Sequence, residues 1–157
     1  MITGLIAVVA LLAASSVLGL ALRRRQGKFK ALGRTTSPQS PAGPGSRDAL
    51  SAADLGAPLG RRATLVQFST EFCSNCPQAR RMLGQVAAEH DGIELVEVDA
   101  AARLDLARRL NVLSTPTVLV LGPDGTIVSR ASGLPRRSDV LTALDSVLVG
   151  GGGEAGR

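Results

Sequence analysis

The most regular feature of the hydrophobic pattern is an apolar segment at the N-terminus. Residues 2–22 contain no charged side chain. At the rise of an α-helix, a segment of this length spans about 30 Å, which is the thickness of the hydrocarbon core of a bilayer. The pattern predicts a transmembrane helix. The alternatives are a buried core helix and a cleaved signal peptide, but a signal peptide has its positive charge before a short apolar stretch.

The basic residues of this region follow the apolar segment, in the juxtamembrane segment 23–34. They are Arg23, Arg24, Arg25, Lys28, Lys30 and Arg34. By the positive-inside rule such a cluster stays in the cytoplasm. We therefore expect a single-pass protein of the cell membrane with its C-terminal domain on the cytoplasmic side.

Residues 35–60 are rich in Pro, Ser and Gly and predict a flexible linker. Within it, a short helix is expected over 48–56, capped by Ser46 or Asp48 and ended by Gly56. The glycine-rich residues 150–157 predict a flexible tail.

Between linker and tail, over residues 61–149, the apolar spacing alternates between strand and helix. Strands are predicted at 64–68, 93–98, 117–121 and 126–132, and helices after the first strand, at 100–110 with Asp99 as N-cap, and around 140–148. The order β-α-β-α-β-β-α predicts an α/β domain with a mixed sheet and helices on both faces.

The net charge of +5 in 157 residues belongs to the N-terminal region. Seven basic and no acidic side chains precede Asp48, which leaves 11 basic against 13 acidic side chains after that point. Aromatic residues make up 2%, with no Trp or Tyr, which argues against a base-stacking platform. We expect no nucleic-acid partner.

The two cysteines, Cys73 and Cys76, fall where the first predicted strand leads into the first helix. The unpaired N–H groups and the dipole of a helix N-terminus favour an anion, so the Cys73 thiol should ionise more readily than a free cysteine. Cys76, one turn later, is close enough to attack a mixed disulfide formed at Cys73. The alternatives are two unrelated cysteines or a metal half-site, but zinc takes four ligands and the chain adds a single histidine, His90. We expect no metal and no other cofactor.

A proline at position 116 directly precedes the third predicted strand. It is a candidate cis peptide, although an ordinary trans proline at a strand start is also compatible. Together with a CxxC motif about forty residues earlier at a strand-to-helix junction, it resembles the thioredoxin superfamily over residues 61–149.

The resemblance implies a thioredoxin-like fold and a thiol-disulfide oxidoreductase with Cys73 and Cys76 as catalytic residues. Its partners would be protein disulfide substrates and an electron-donating thiol reductase. Gln67 occupies the position of the family's buried acid and Leu95 that of its lysine partner, so Gln67 would support the active site without a charge. The substrate-binding positions that it implies are Phe72, where the family usually has Trp, and Ser74, Asn75, Thr115, Pro116 and Gly133.

Three functions are compatible with these features. The first is a membrane-tethered oxidoreductase that reduces protein disulfides in the cytoplasm. The second is an extracytoplasmic reductase or oxidase of the cell envelope, which the placement of the basic residues disfavours. The third is a non-catalytic adaptor or redox sensor with a thioredoxin shape, which an intact CxxC motif disfavours.

Overall fold

The computed structural model describes residues 48–150, together with Ser15 and the backbone of Lys30 and Ala31. Apart from Ser15, the predicted transmembrane helix over 2–22 lies outside the described residues. So do most of the basic segment, the first part of the linker including Ser46, and the tail beyond 150. Within the part of the chain that is described, no helix is both long enough and apolar enough to cross a membrane.

The described residues form an α/β fold whose elements alternate from β2 onward in the predicted order. In chain order the elements are β1 (Lys30–Ala31), α1 (Ala52–Leu55), β2 (Ala63–Ser69), α2 (Cys76–Ala88), β3 (Ile93–Asp99), α3 (Leu104–Arg109), β4 (Thr117–Leu121), β5 (Ile127–Ser132) and α4 (Arg137–Gly150).

The strands form one mixed sheet in the order β1-β5-β4-β2-β3. Strand β2 is central: it runs parallel to β3 and antiparallel to β4, which in turn pairs antiparallel with β5. The first six residues of β2 are buried because the sheet covers both of its edges and helices cover both of its faces. The turn that follows β2 is therefore attached to a buried central strand.

Two apolar clusters lie on opposite faces of the sheet, as the predicted architecture requires. On one face, Val66 and Phe68 of β2 belong to a cluster that includes Leu55 of α1 and Leu106 of α3. On the other face, Ala63 and Leu65 belong to a cluster with residues of α2 and α4, among them Leu83, Val86, Val140 and Leu144. Side chains alternate along a strand, so Gln67 faces α2 and α4 with Leu65.

The start of α3 differs from the prediction. The helix begins at Leu104 and not at position 100, because Arg103 has φ −116° and ψ 55°, outside the helical region. The N–H of Ala100 is bound to the carbonyl oxygen of Ser69, and Asp99 Oδ1 accepts from the N–H groups of Ala101 and Ala102. Asp99 thus caps a turn that precedes the helix.

The short helix α1 is also narrower than predicted, and its cap is different. Gly56 ends it in the left-handed conformation, φ 67°, as expected. Its N-cap is Ser51, which forms a reciprocal capping box with Asp54. The predicted cap Asp48 instead accepts, through its carbonyl oxygen, the N–H of Ile127.

Strand β1 was not predicted from the sequence. It lies within the basic segment 23–34 and pairs antiparallel with β5, with Lys30 opposite Arg130 and Ala31 opposite Ser129. Two residues of the basic segment thus extend the sheet at the β5 edge.

Candidate active site

Cys73 and Cys76 form a disulfide in the turn between β2 and α2, with 5.4 Å between their Cα atoms. The N–H of Cys76 donates to the carbonyl oxygen of Cys73 at 3.2 Å, which closes this turn. The two cysteines differ in exposure: Cys73 is half-buried, whereas Cys76 is 4% exposed. A partner molecule therefore meets Cys73 first.

The position of Cys73 relative to the helix differs from the prediction. Helix α2 begins at Cys76 and has Asn75 as its N-cap, so Cys73 lies in the turn before the helix. The N–H of Cys76 is already bound and Pro77 has no N–H, which leaves fewer helix donors facing this turn than a first-turn position would have.

Gln67 lies beneath the second cysteine. Its side chain is fully buried, and Nε2 donates to the carbonyl oxygen of Cys76 at 3.1 Å. Its Oε1 atom is buried and has no hydrogen-bond partner among the described residues. Leu95 is half-buried and packs against the apolar cluster on the same face. An amide and an aliphatic side chain therefore occupy the positions where the resemblance implied a charged pair.

The ion pair between Arg80 and Glu97 lies beside these residues and was not predicted from the sequence. Glu97 is the register partner of Gln67 on β3, and its carboxylate lies 3.1 Å from Nη1 of Arg80 on α2. Arg80 is one helical turn after Cys76, so the ion pair joins the helix that carries Cys76 to the neighbouring strand. The spacing of Arg80 from Cys76 was visible in the sequence, but the register that brings Glu97 opposite was not.

The loop before β4 reaches the same site. The Thr115–Pro116 peptide bond is cis, as the sequence suggested. The hydroxyl of Thr115 is hydrogen-bonded to that of Thr70 at 3.1 Å, and the carbonyl oxygen of Thr70 accepts the N–H of Cys73. Thr70, which the sequence analysis did not single out, thus joins the two loops.

Gly133 follows β5 and lies against the same loop. Its N–H donates to the carbonyl oxygen of Pro116 at 2.7 Å, and its φ of 87° is a conformation that favours glycine. The structure therefore brings Gly133, Pro116, Thr115 and the two cysteines to one end of the sheet.

Comparison with models of known protein families identifies the family to which this fold and site belong. The family model described as Thioredoxin matches residues 57–146, more than half of the chain. The protein belongs to the thioredoxin family. A comparison with curated protein sequences gave no match.

Solved structures show the same fold. A malarial protein is 22% identical, with a TM-score of 0.51 over 55% of this chain and 98% of that one. A mutant thioredoxin from Halobacterium salinarum NRC-1 is 20% identical, with a TM-score of 0.51 over 56% and 76% of the two chains. Fasciola hepatica thioredoxin is 23% identical, with a TM-score of 0.50 over 56% and 83%.

Two large apolar side chains close in sequence to the residues of this thioredoxin site are exposed. Phe72, directly before the first cysteine, is 93% exposed, and Leu113, before the loop that carries Pro116, is 84% exposed. Ser74 and Asn75 are exposed between the cysteines. Within the described residues, no three His, Cys, Asp or Glu side chains lie together as metal ligands would.

Proposed function

We propose that this thioredoxin-family protein is a membrane-tethered thiol-disulfide oxidoreductase that reduces protein disulfides through Cys73 and Cys76. The observation that carries the proposal is the unequal exposure of the two cysteines beside the loop with the cis proline. A half-buried sulfur suits attack on a bulky substrate, and a buried sulfur one turn away suits the second, intramolecular step.

The reaction has two exchange steps. The Cys73 thiolate attacks one sulfur of a substrate disulfide, the substrate S–S bond breaks, and the other substrate sulfur leaves as a thiolate that takes up a proton. Cys76 then loses its proton and attacks Cys73 Sγ. The bond between Cys73 and the substrate breaks, the second substrate thiol is released, and two electrons have passed from the dithiol to the substrate. An electron-donating thiol reductase returns the Cys73–Cys76 disulfide to the dithiol.

Two exposed apolar side chains support an extended protein segment as the substrate. Phe72, directly before Cys73, and Leu113, two residues before Thr115, offer apolar contact because both side chains are almost fully exposed. In this proposal the backbone at Thr115 and the glycine at 133 border the segment that carries the substrate cysteine.

Tethering and orientation belong to the proposal and are supported by the sequence. The apolar segment 2–22 would anchor the protein, and the basic segment 23–34 would hold the thioredoxin domain on the cytoplasmic side. Reporters that work on one side of the membrane, fused after Val149, test this. Activity of an export-dependent reporter would place the domain in the cell envelope instead.

The catalytic proposal is tested with the full-length chain in detergent. We expect turnover in the reduction of insulin disulfides by dithiothreitol, above the rate without protein, and the loss of that turnover in Cys73→Ser. A folded parent protein that gives no turnover would overturn the enzymatic function and favour an adaptor or redox sensor.

A further inference from the structure

The amide of Gln67 has a fixed orientation. Its buried side chain contacts the carbonyl oxygen of Cys76, and only the NH₂ end of an amide can donate to a carbonyl. The Oε1 atom must therefore point away from that carbonyl. It remains inside the protein, on the face of the sheet that carries α2, without a hydrogen-bond partner among the described residues.

A buried acceptor without a donor destabilises the state in which it occurs. In the disulfide state neither sulfur carries a proton, so Cys76 has no S–H group to offer. Reduction places a proton on Cys76 Sγ and creates a buried S–H donor. The carbonyl oxygen of this cysteine already accepts from Nε2 of the same amide at 3.1 Å, so the new buried donor belongs to the residue that Gln67 contacts.

We propose that Gln67 Oε1 accepts a hydrogen bond from the Cys76 thiol in the reduced protein, and that Gln67 thereby stabilises the dithiol relative to the disulfide. The inference rests on the proposed exchange function. In this role Gln67 is a positioning residue that neither gives nor takes a proton. The neighbouring carboxylate of Glu97 is paired with Arg80 and partly exposed, which leaves the amide as the buried acceptor.

Equilibrium with glutathione measures this effect. Two glutathione thiols reduce the Cys73–Cys76 disulfide to the dithiol and become one glutathione disulfide, so two electrons and two protons are transferred. Gln67→Leu removes the unpaired acceptor, which destabilises the disulfide state. It also removes the hydrogen bond from the Cys76 thiol, which stabilises the dithiol state. We expect the equilibrium to move about tenfold towards the protein disulfide, which is a shift of about 30 mV for a two-electron couple.

The control is Thr64→Val on the same strand. Thr64 is also fully buried, but its hydroxyl accepts from the N–H of Gly60, away from the dithiol. We expect this variant to lose stability and to keep the redox equilibrium of the parent. Gln67→Met, which keeps the length of the side chain, replaces the leucine variant if that variant does not fold, and should show the same shift.

Infrared spectroscopy gives a readout that a merely structural role would not change. In Cys73→Ser a single S–H group remains, that of Cys76, and we expect its stretching band at a lower frequency than in the double variant Cys73→Ser, Gln67→Leu. An unchanged glutathione equilibrium in the Gln67 variants, or an unchanged band, would overturn the inference. A parent protein that does not exchange with glutathione would overturn the proposed function itself.

Discussion

The inner and outer halves of the dithiol site differ in burial and in the side chains next to each sulfur. Cys76 and Gln67 are buried on the face of the sheet that packs against α2 and α4. Cys73 and Phe72 lie on the other side of the same turn, half-buried and 93% exposed. In the proposed function, the outer half contacts the substrate and the inner half sets the rate of the second exchange step. The described inner half offers an amide in place of a proton-accepting carboxylate.

The largest effect should come from removing one sulfur from each half. Cys73→Ser should abolish reductase turnover because the exposed nucleophile is lost, whereas Cys76→Ser should trap mixed disulfides because the resolving sulfur is lost. Non-reducing electrophoresis after incubation with a disulfide substrate separates the two results. Mixed disulfides trapped by Cys73→Ser and not by Cys76→Ser would reverse the roles of the halves.

The second prediction concerns Gln67→Asp, which places a carboxylate base in the inner half of the site. A free cysteine, with a pKa of about 8.5, is only a few per cent ionised at pH 7. A positioned base is worth roughly a hundredfold. In the parent, mixed-disulfide resolution should therefore accelerate from pH 7 to beyond pH 8.5. Gln67→Asp should raise the pH 7 rate by roughly tenfold to a hundredfold and flatten this rise, as measured by rapid-quench kinetics.

Gln67→Asn is the matched control, because it has the size of the aspartate variant and no carboxylate. Equal acceleration in both variants, or none in the folded aspartate variant, would show that proton removal does not limit resolution. The measurements belong well below the melting temperature of Gln67→Asp, since removing a carboxylate from water at the fully buried position 67 destabilises the fold.

The third prediction tests the outer half. Phe72→Ala should lower kcat/KM for protein disulfides about fivefold, the equivalent of about 1 kcal/mol of lost apolar contact. It should leave the free energy of unfolding unchanged, because the side chain is almost fully exposed. Leu104→Ala is the control: Leu104 is 53% exposed on α3, outside the site. Reduction of a small disulfide should be unaffected by either change, and an equal loss with small and protein substrates would remove Phe72 from substrate binding.

The sequence predicted the main residues of both halves, but not the contacts that join distant segments around them. The CxxC motif, the proline at 116 and the alternation of strands and helices are local signals, and the fold that they predict is confirmed. The hydrogen bond between Thr70 and Thr115 joins residues that are 45 positions apart. The Arg80–Glu97 ion pair and strand β1 likewise depend on register between distant segments. Local spacing contains no information on such pairings.

The smallest effect on the site should come from a charge that supports the fold elsewhere. Asp54 is the partner of the N-cap Ser51 in the capping box of α1. It also forms an ion pair with Arg109 of α3, with 2.7 Å between Asp54 Oδ1 and Arg109 Nη2. Partial burial alone would raise the pKa of Asp54, but the hydrogen bonds from Ser51 and the Arg109 guanidinium outweigh it and lower the pKa. Asp54→Asn should therefore reduce the free energy of unfolding by about 1 kcal/mol at pH 7, and leave insulin reduction unchanged.

The pH dependence follows from the sign of that shift. A carboxylate with a lowered folded-state pKa stabilises the fold above its unfolded pKa of about 3.9. That contribution is lost as the pH falls from there through the folded-state value, so parent and Asp54→Asn should converge in stability in denaturant titrations at low pH. Asp105→Asn is the control and should change the free energy of unfolding less than Asp54→Asn. Hydrogen bonding to Arg103 lowers the pKa of Asp105, but its side chain is 73% exposed, so water screens the ion pair. If Asp54→Asn lost insulin-reduction turnover in proportion to its loss of stability, α1 and α3 would be coupled to the dithiol. The two halves of the site would then depend on packing on the opposite face of the sheet.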